Sequence, residues 1–384
     1  MKNLVIPLFC ILLSACTSAP VTHQTTDQLL DDSLFAAPSE RVSADDLFVA
    51  SDEMKHYLST EIADQLRRKG VKWGLIEALN HKSQLKLEYD SSATRNAAET
   101  FHARSGNCLS LVIMTAALAK HLDLPVRYQS VIIDDIWSRN GNIDLLNGHV
   151  NLTLGKTEPD LFHRGIAEAP TTIDFLPPEE IGGWRSLVIS ESTVVAMYLN
   201  NRAVESINHG RLDDSYWWAR EAIRQAPTYI SAYNTLGVIY RRHGNLPQAE
   251  QVFKHILTAE PENRLVIPNL IQVLNELGRT AESQQMAEKL AKIEPYPPFY
   301  YFDLGLKAMQ QADYKRAKAL FTKEVNRAAY YHEFQFWLAV ADYQLGDFKG
   351  AREHLVLAMD NSTTRRDHDL YAAKLDQIKS FRLH

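Results

Sequence analysis

The chain has 384 residues, of which 45% are hydrophobic and 23% charged, so it is long enough for two or three globular domains and is neither fibrous nor intrinsically disordered. Its 41 basic and 47 acidic residues give a net charge of −6, without the basic excess that binds a phosphate backbone, so nucleic acid is not an expected partner. Three cysteines are too few for a disulfide-dense scaffold or a four-thiolate zinc site.

The first 15 residues have the pattern of a signal peptide. Lys2 precedes an apolar run, residues 4–13, that is too short to span a bilayer stably. The letters LSAC, ending at Cys16, resemble the lipobox of bacterial lipoproteins, in which the Cys becomes the acylated first residue of the mature protein. The resemblance implies a lipid on Cys16 and, because Thr17 rather than Asp follows, an outer-membrane anchor facing the periplasm. The alternative is an ordinary signal cleaved after Ala15, or an uncleaved anchor.

The segment that follows is predicted to be a flexible tether. Residues 16–42 are polar, contain two prolines and have no sustained apolar period. Ser43, with Asp46 three residues later, is typical of a helix cap and predicts a helix that stops at Gly70. This helix would begin the first folded domain, residues 43–190.

Cys108 is the cysteine that stands out in this domain. Cleavage would remove Cys10 and acylation would consume Cys16, so Cys108 would be the one thiol of the mature chain and would lack a disulfide partner. An unpaired cysteine in an oxidising compartment is a candidate nucleophile, or else a small buried hydrophobic residue. A helical period follows Asn107, which places Cys108 at a helix N-terminus, where unpaired N–H groups stabilise a thiolate and can hold an oxyanion.

Two predicted strands carry further candidate residues. The alternating letters HVNLTL place His149 near the start of one strand, and TTIDF places Asp174 on another. A thiolate, a base and an orienting carboxylate would then lie in one line. The rival bases are His102, His121 and His163, the rival carboxylates are Asp134, Asp135 and Asp144, and Asn107 is a turn residue or an oxyanion-hole donor.

These motifs resemble, in order, the three core motifs of the transglutaminase-like superfamily, a branch of the papain-like fold. GNCLS with its helix, the HVNL strand and the IDF strand carry the resemblance, which covers roughly residues 71–189. It implies an α+β domain with Cys108 as nucleophile, His149 as general base and acid, and Asp174 as the group that fixes the imidazole tautomer. Two features depart from the pattern: Asp123 stands where such helices often end in Gly, and 25 residues separate His149 from Asp174.

The second half of the chain repeats every 34 residues. Gly210, Gly244, Gly278 and Gly346 keep this spacing, with Ala312 at the missing step. This is the period of tetratricopeptide repeats, whose consensus the copy at residues 233–261 resembles. About five repeats fit residues 196–363, and residues 364–384 would form a capping helix and tail.

An all-α solenoid of this kind usually binds a peptide or protein. The aromatic residues that could line its groove, or pack between its helices, are Tyr216, Trp217, Trp218, Tyr300 and Tyr301.

Two functions from different classes fit the whole pattern. The first is a membrane-anchored, periplasm-facing cysteine peptidase, amidase or acyl transferase that acts on amide bonds, with the repeats recruiting a protein or peptide. The alternative is a non-catalytic envelope scaffold that uses the repeats for protein–protein interaction. The sequence has no HExxH, CxxC pair, GxxxxGK or GxGxxG motif, so no metal or nucleotide cofactor is expected.

Overall fold

The structure is a computed structural model that describes residues 26–80, 85, 87–90, 93–132, 137–140, 143–146, 149–155, 169–175 and 185–380. The predicted signal peptide and Cys16 lie outside the described residues, as do His163, Asp134 and Asp135. Among the helices described, none combines the length and the apolar character needed to cross a lipid bilayer.

Residues 26–41, which belong to the part of the predicted tether that the structure describes, pack against the fold and do not form the predicted flexible segment. They form two short 3-10 helices, Thr26–Leu29 and Asp32–Leu34. Leu29 and Phe35 are 3% and 8% exposed because they pack against helices of the second half of the chain. Their burial outweighs the polar composition of the segment. We refer to residues 26–41 as the strap.

Five helices follow the strap. The predicted helix start at Ser43 is wrong: Ser51 is the N-cap, and its hydroxyl accepts a hydrogen bond from the Met54 N–H at 3.3 Å. Every residue from 109 to 119 is buried, so the last of the five helices is the centre of this half. The bounds are Asp52–His56 (α1, continued by a π-helical turn, Tyr57–Glu61), Ala63–Lys69 (α2), Val71–Asn80 (α3), Ala97–Ala103 (α4) and Cys108–His121 (α5).

An antiparallel sheet lies beside α5. Its four strands are Val126–Ile132 (β3), His149–Leu154 (β6), Thr171–Ile173 (β7) and Arg185–Ile189 (β8), in the order β7-β6-β3-β8. In the β6–β7 register Thr153 faces Thr172, so Asp174 directly follows β7 at the level of Asn151. Shorter strands pair apart from this sheet: Glu88–Tyr89 (β1) with Ser105–Gly106 (β2), and Trp137–Asn140 (β4) with Ile143–Leu146 (β5).

Residues 191–360 form five helical hairpins, which confirms the predicted all-α repeat solenoid. A further helix, Arg365–Ser380 (α16), packs on the last hairpin. The hairpin helices are Glu191–Asn208 (α6), Leu212–Gln225 (α7), Ile230–His243 (α8), Leu246–Ala259 (α9), Val266–Glu276 (α10), Thr280–Ile293 (α11), Tyr300–Gln310 (α12), Tyr314–Arg327 (α13), His332–Gln344 (α14) and Phe348–Asp360 (α15).

The buried apolar side chains form separate clusters along the described chain. The largest extends from Leu29 to Leu274 and joins the strap, α5, the sheet and the first three hairpins. A second extends from Phe299 to Ala341. Helix α11, which lies between them, buries only Ser283. We call residues 294–298 the seam, because the cluster before it shares no residue with the clusters after it.

Candidate functional site

Cys108 is the first residue of α5, as the helical period predicts. The side-chain oxygen of Asn107 accepts a hydrogen bond from the Ser110 N–H at 2.9 Å and so caps the helix. The Cys108 side chain is half-buried. Its thiol therefore lies beside the first N–H groups of α5, which have no partner within the helix.

His149 and Asp174 are in direct contact, although a long connection separates them in the sequence. His149 Nε2 lies 2.7 Å from Asp174 Oδ1, and His149 is 3% exposed. The second carboxylate oxygen, Oδ2, accepts a hydrogen bond from Asn151 Nδ2 at 2.8 Å. Alternation along β6 places His149 and Asn151 on one face, so the strand aims both side chains at one carboxylate.

The His149 ring also interacts with Cys108. The Cys108 thiol lies close enough to the imidazole to affect its protonation. Since Nε2 binds Asp174, Nδ1 is the ring nitrogen that remains for the thiol. Burial lowers the pKa of His149, but the hydrogen bonds and charges of Asp174 and Cys108 outweigh burial and raise this pKa to about 9. Both neighbours therefore favour the protonated form of the ring.

This arrangement is suited to acyl transfer. A thiolate at Cys108 would be the nucleophile, the imidazolium of His149 would be the proton donor to a leaving group, and Asp174 would fix the ring orientation. The N–H groups at the start of α5 are donors for an oxyanion. The structure thus brings together the three residues that the sequence singles out; their catalytic roles stay a prediction.

The rival candidates lie elsewhere or outside the described residues. His102, on α4, has an 84% exposed side chain and contacts Glu53 at 3.3 Å. His121 is exposed at the last residue of α5. Asp144 lies on β5. Asn107 has the predicted turn role, because its Oδ1 caps α5 and its Nδ2 donates one hydrogen bond to Thr94 Oγ1 at 3.0 Å.

Asn151 is the site residue that sequence reasoning missed. It is 5% exposed and holds the carboxylate that binds His149. Its position two residues after His149 on an alternating strand was the available signal, because such residues share a face.

A second missed feature ties the site to the repeats. The Thr94 N–H donates to Glu205 Oε1 at 2.7 Å, and Thr94 Oγ1 accepts hydrogen bonds from Asn107 and, at 3.2 Å, from Asn201. Glu205 and Asn201 belong to α6, the first helix of the solenoid. The residue that precedes Cys108 is therefore hydrogen-bonded, through Thr94, to the repeat array. Within the described ranges, no three or more His, Cys, Asp or Glu side chains are grouped as metal ligands.

The five aromatic groove candidates divide into two sets. Tyr216 and Trp218 are buried, and Trp217 donates to the Ala36 carbonyl, so these three residues contact the strap. Tyr300 and Tyr301 lie at the start of α12, beside the seam. A cleft of about 580 Å³ opens there, lined by Arg264, Ile293, Glu294, Pro295, Tyr296, Tyr301, Lys323, Asn326 and Arg327.

Comparison with known proteins identifies the repeats. Residues 218–251, from the middle of α7 into α9, match the family model of the tetratricopeptide repeat. No curated protein matches the chain. The match confirms the predicted repeats and supports a role in protein–protein interaction, whereas the peptidase hypothesis gains no support from it.

The chain can be aligned with solved structures over about half of its length. A structure of pilF from Pseudomonas aeruginosa is 18% identical with a TM-score of 0.30, and the alignment covers 50% of this chain and 88% of that one. A tetratricopeptide-repeat protein of Thermus thermophilus is 16% identical with a TM-score of 0.29, covering 47% and 98%. One from Parabacteroides merdae is 18% identical with a TM-score of 0.26, covering 50% and 75%.

Proposed function

We propose that this protein is a docking protein that binds a protein or peptide partner through its tetratricopeptide repeats. The observation that carries the proposal is the aromatic cleft beside the seam. Tyr296 and Tyr300 are 54% and 38% exposed, and their rings lie 5.7 Å apart. Exposed tyrosines supply both apolar area and a hydroxyl, which suits them to protein interfaces.

Basic side chains border these rings. Lys323 Nζ lies 4.8 Å from the centre of the Tyr301 ring. Arg327 donates to the backbone carbonyls of Tyr296 and Pro297 at 3.0 and 3.4 Å, and so fixes the loop that presents the aromatic residues. Aromatic surface with cations at its edge favours a partner segment that combines apolar and acidic side chains.

Site-specific cross-linking tests the docking proposal. A photo-reactive amino acid replaces Tyr300 in one chain and Lys349, whose side chain is 82% exposed on α15, in a matched control. We expect an adduct of defined mass from position 300 in cells, reduced when Lys323 is changed to Glu. Adducts of equal yield from both positions, or none from position 300, would contradict the proposal.

A second candidate function is cysteine-dependent acyl transfer, which the contact between Cys108, His149 and Asp174 favours. The Cys108 thiolate would attack an amide carbonyl, the C–N bond would break, and His149 would give its proton to the leaving amine. Water would then release the acyl group from the sulfur, with His149 taking the proton back. Hydrolysis of a peptide or isopeptide bond is favoured over cross-linking because water is always available.

Thiol labelling tests this candidate without a known substrate. A thiol-directed activity probe at mildly acidic pH should label Cys108 faster than it labels a model thiol if His149 acts as the base of this cysteine. His149→Gln should abolish the advantage, Asp174→Asn should reduce it, and the matched control His102→Gln should keep it. Labelling no faster than that of the model thiol would contradict acyl transfer, and docking would then be the one proposed function that remains.

The proposal also includes a lipid anchor on Cys16, on the strength of the LSAC letters. Cys16→Ser should move the protein from the detergent phase to the aqueous phase in a partitioning experiment, because acylation needs the thiol. Cys10→Ser, within the predicted signal peptide, is the matched control and should leave partitioning unchanged. Unchanged partitioning of both variants would exclude the anchor.

A further inference from the structure

The strap is held by helices α7 and α8 through one deeply buried aromatic ring. Phe35 stacks on Tyr216, with ring centres 4.1 Å apart and planes 7° apart. The rings of Tyr240 and His243 lie 5.7 and 4.6 Å from it. We call the surface lined by Tyr216, Trp217, Arg220, Tyr240 and His243 the strap groove.

Side chains of the groove also bind the backbone of the strap. The Tyr240 hydroxyl accepts a hydrogen bond from the Asp31 N–H at 2.9 Å and donates one to the Leu29 carbonyl at 3.0 Å. Trp217 Nε1 donates to the Ala36 carbonyl at 2.6 Å. Hydrogen bonds between groove side chains and the backbone of a separate segment are one way in which a groove binds a peptide.

The charges of strap and groove are complementary. The Asp32 carboxylate accepts hydrogen bonds from the Tyr216 hydroxyl at 2.6 Å and from Arg220 Nη2 at 2.9 Å. Arg220 and Tyr216 thus recognise an acidic side chain three positions before the buried Phe35. Such charge-assisted contacts fix the register of a segment in its groove.

We propose that the strap groove is a peptide-docking site that the chain occupies with its own strap, and that its external partner is a segment that has an acidic residue three positions before a Phe, separated from it by one 3-10 turn as in the strap. The inference rests on the proposed docking function, and it specifies the chemistry of the partner that the first two repeats would bind. The partner gains access by displacing the strap, which is tethered beside the groove and competes at an effective concentration of about millimolar.

Binding of the strap peptide in trans tests the inference. The probe is a fluorescent synthetic peptide with the sequence of residues 26–41, and the protein is the full chain. Phe35→Asp removes the ring that anchors the strap and should vacate the groove. The matched control is Ala37→Asp, which adds the same charge at an exposed position of the strap. We expect saturable binding to the Phe35→Asp chain, and binding weaker by roughly tenfold or more to the unmodified and Ala37→Asp chains.

Peptide variants test the proposed chemistry. A peptide carrying Phe35→Ala, or one carrying Asp32→Ala, should bind the vacated chain roughly tenfold more weakly or worse. Asp32→Arg provides a second chain with a vacated groove in case Phe35→Asp does not fold. The new arginine would repel Arg220, and the Asp32 side chain is 46% exposed, so the substitution should not disturb the core.

Three outcomes would overturn the inference. No binding to either vacated chain, with native circular dichroism, would make the strap an integral part of the fold. Equal binding to all chains would place the peptide elsewhere. A dimer of the unmodified chain that separates on adding peptide would place the strap in a neighbouring copy. Cross-linking at Tyr300 reports on the seam cleft, so its result distinguishes failure of the docking function from failure of this inference.

Discussion

Left-handed backbone conformations recur at single residues where the helices of a hairpin turn. Gly210, Gly244, Gly278 and Gly346 have φ angles of 75°, 89°, 73° and 78°, and Ala312, at the missing step of the period, has 56°. Glycine adopts this region without strain, whereas the Cβ of alanine crowds the backbone there. The 34-residue glycine period therefore reports a backbone requirement, and Ala312 meets it at a cost.

We expect Ala312→Gly to stabilise the protein by about 0.5 to 1 kcal/mol, because relief of the left-handed strain exceeds the extra unfolded-state entropy of glycine. Urea unfolding would measure the change. Gly210→Ala is the reverse experiment: an added Cβ meets nothing within 4 Å, so only the backbone penalty applies and stability should fall by about 1 kcal/mol. Equal stability of both variants and the parent would refute this account.

The protonation of His149 makes stability depend on pH. Its pKa is raised to about 9, above the unfolded value of 6.5, so the folded state binds this proton more tightly. The stabilisation is fully present below pH 6.5 and is lost as pH rises through 9. We expect the free energy of unfolding to fall over this window, and to fall less in His149→Gln. Parallel pH profiles for the two proteins would exclude a raised pKa at this residue.

Individual residues also show which parts of the candidate site could be predicted from the sequence. The helical period after Asn107 and the alternation after Gly148 were enough to place Cys108 and His149 on their elements. The contact between His149 and Asp174 depends on the β6–β7 register across a long connection, so the strand patterns suggested that these residues are neighbours but could not fix their contact. Asp123 adopts a φ of 55°, in the left-handed region that glycine adopts without strain.

At the scale of elements, Asn107 at the N-terminus of α5 makes two separate structural contacts. Asn107 caps the helix and donates to Thr94, so it sets both where α5 begins and how the preceding segment is held. Asn107→Ala should lower stability by about 1 to 2 kcal/mol and slow the labelling of Cys108, since the first turn of α5 loses its restraint. Urea unfolding and labelling rates measure the two effects.

The cap of the neighbouring helix provides the control for this prediction. Asn96 caps α4 in the same way and also forms a capping box with Glu99. Asn96→Ala should destabilise the protein by a similar amount and leave the labelling rate of Cys108 unchanged. If both variants slow labelling equally, loss of stability rather than the position of α5 is the cause.

The strap shows which elements a sequence pattern hides. Leu29 and Phe35 are its buried anchors, but neither lies in a helical or alternating pattern, and polar residues surround them. Their partners Tyr216 and Tyr240 are about 180 to 210 positions away in the chain. Local periodicity in a sequence detects a helix or strand that buries one of its faces. The strap has no such periodicity, because its conformation depends on contacts with α7 and α8, which are distant in the sequence.

At the scale of the whole molecule, the separate cores predict stepwise unfolding. Leu236 is buried in the cluster that joins the strap, the Cys108 site and the first three hairpins, and Phe334 in the cluster after the seam. Calorimetry should show two transitions. Leu236→Ala should lower the midpoint temperature of only one transition, and Phe334→Ala that of only the other. Each substitution should lower the free energy of unfolding of its own part by about 2 to 5 kcal/mol. A single transition whose midpoint temperature falls in both variants would mean that the parts on either side of the seam unfold cooperatively.

The seam also determines how this protein can change length in evolution. The clusters of buried residues after residue 294 do not include any described residue of the strap, of α5 or of the sheet. Duplication or loss of a whole 34-residue unit there leaves the strap groove and the hydrogen bonds to Thr94 intact, whereas the same event among the first three hairpins removes part of the first core. Lineages should therefore differ in the number of hairpins beyond the seam and retain the three before it.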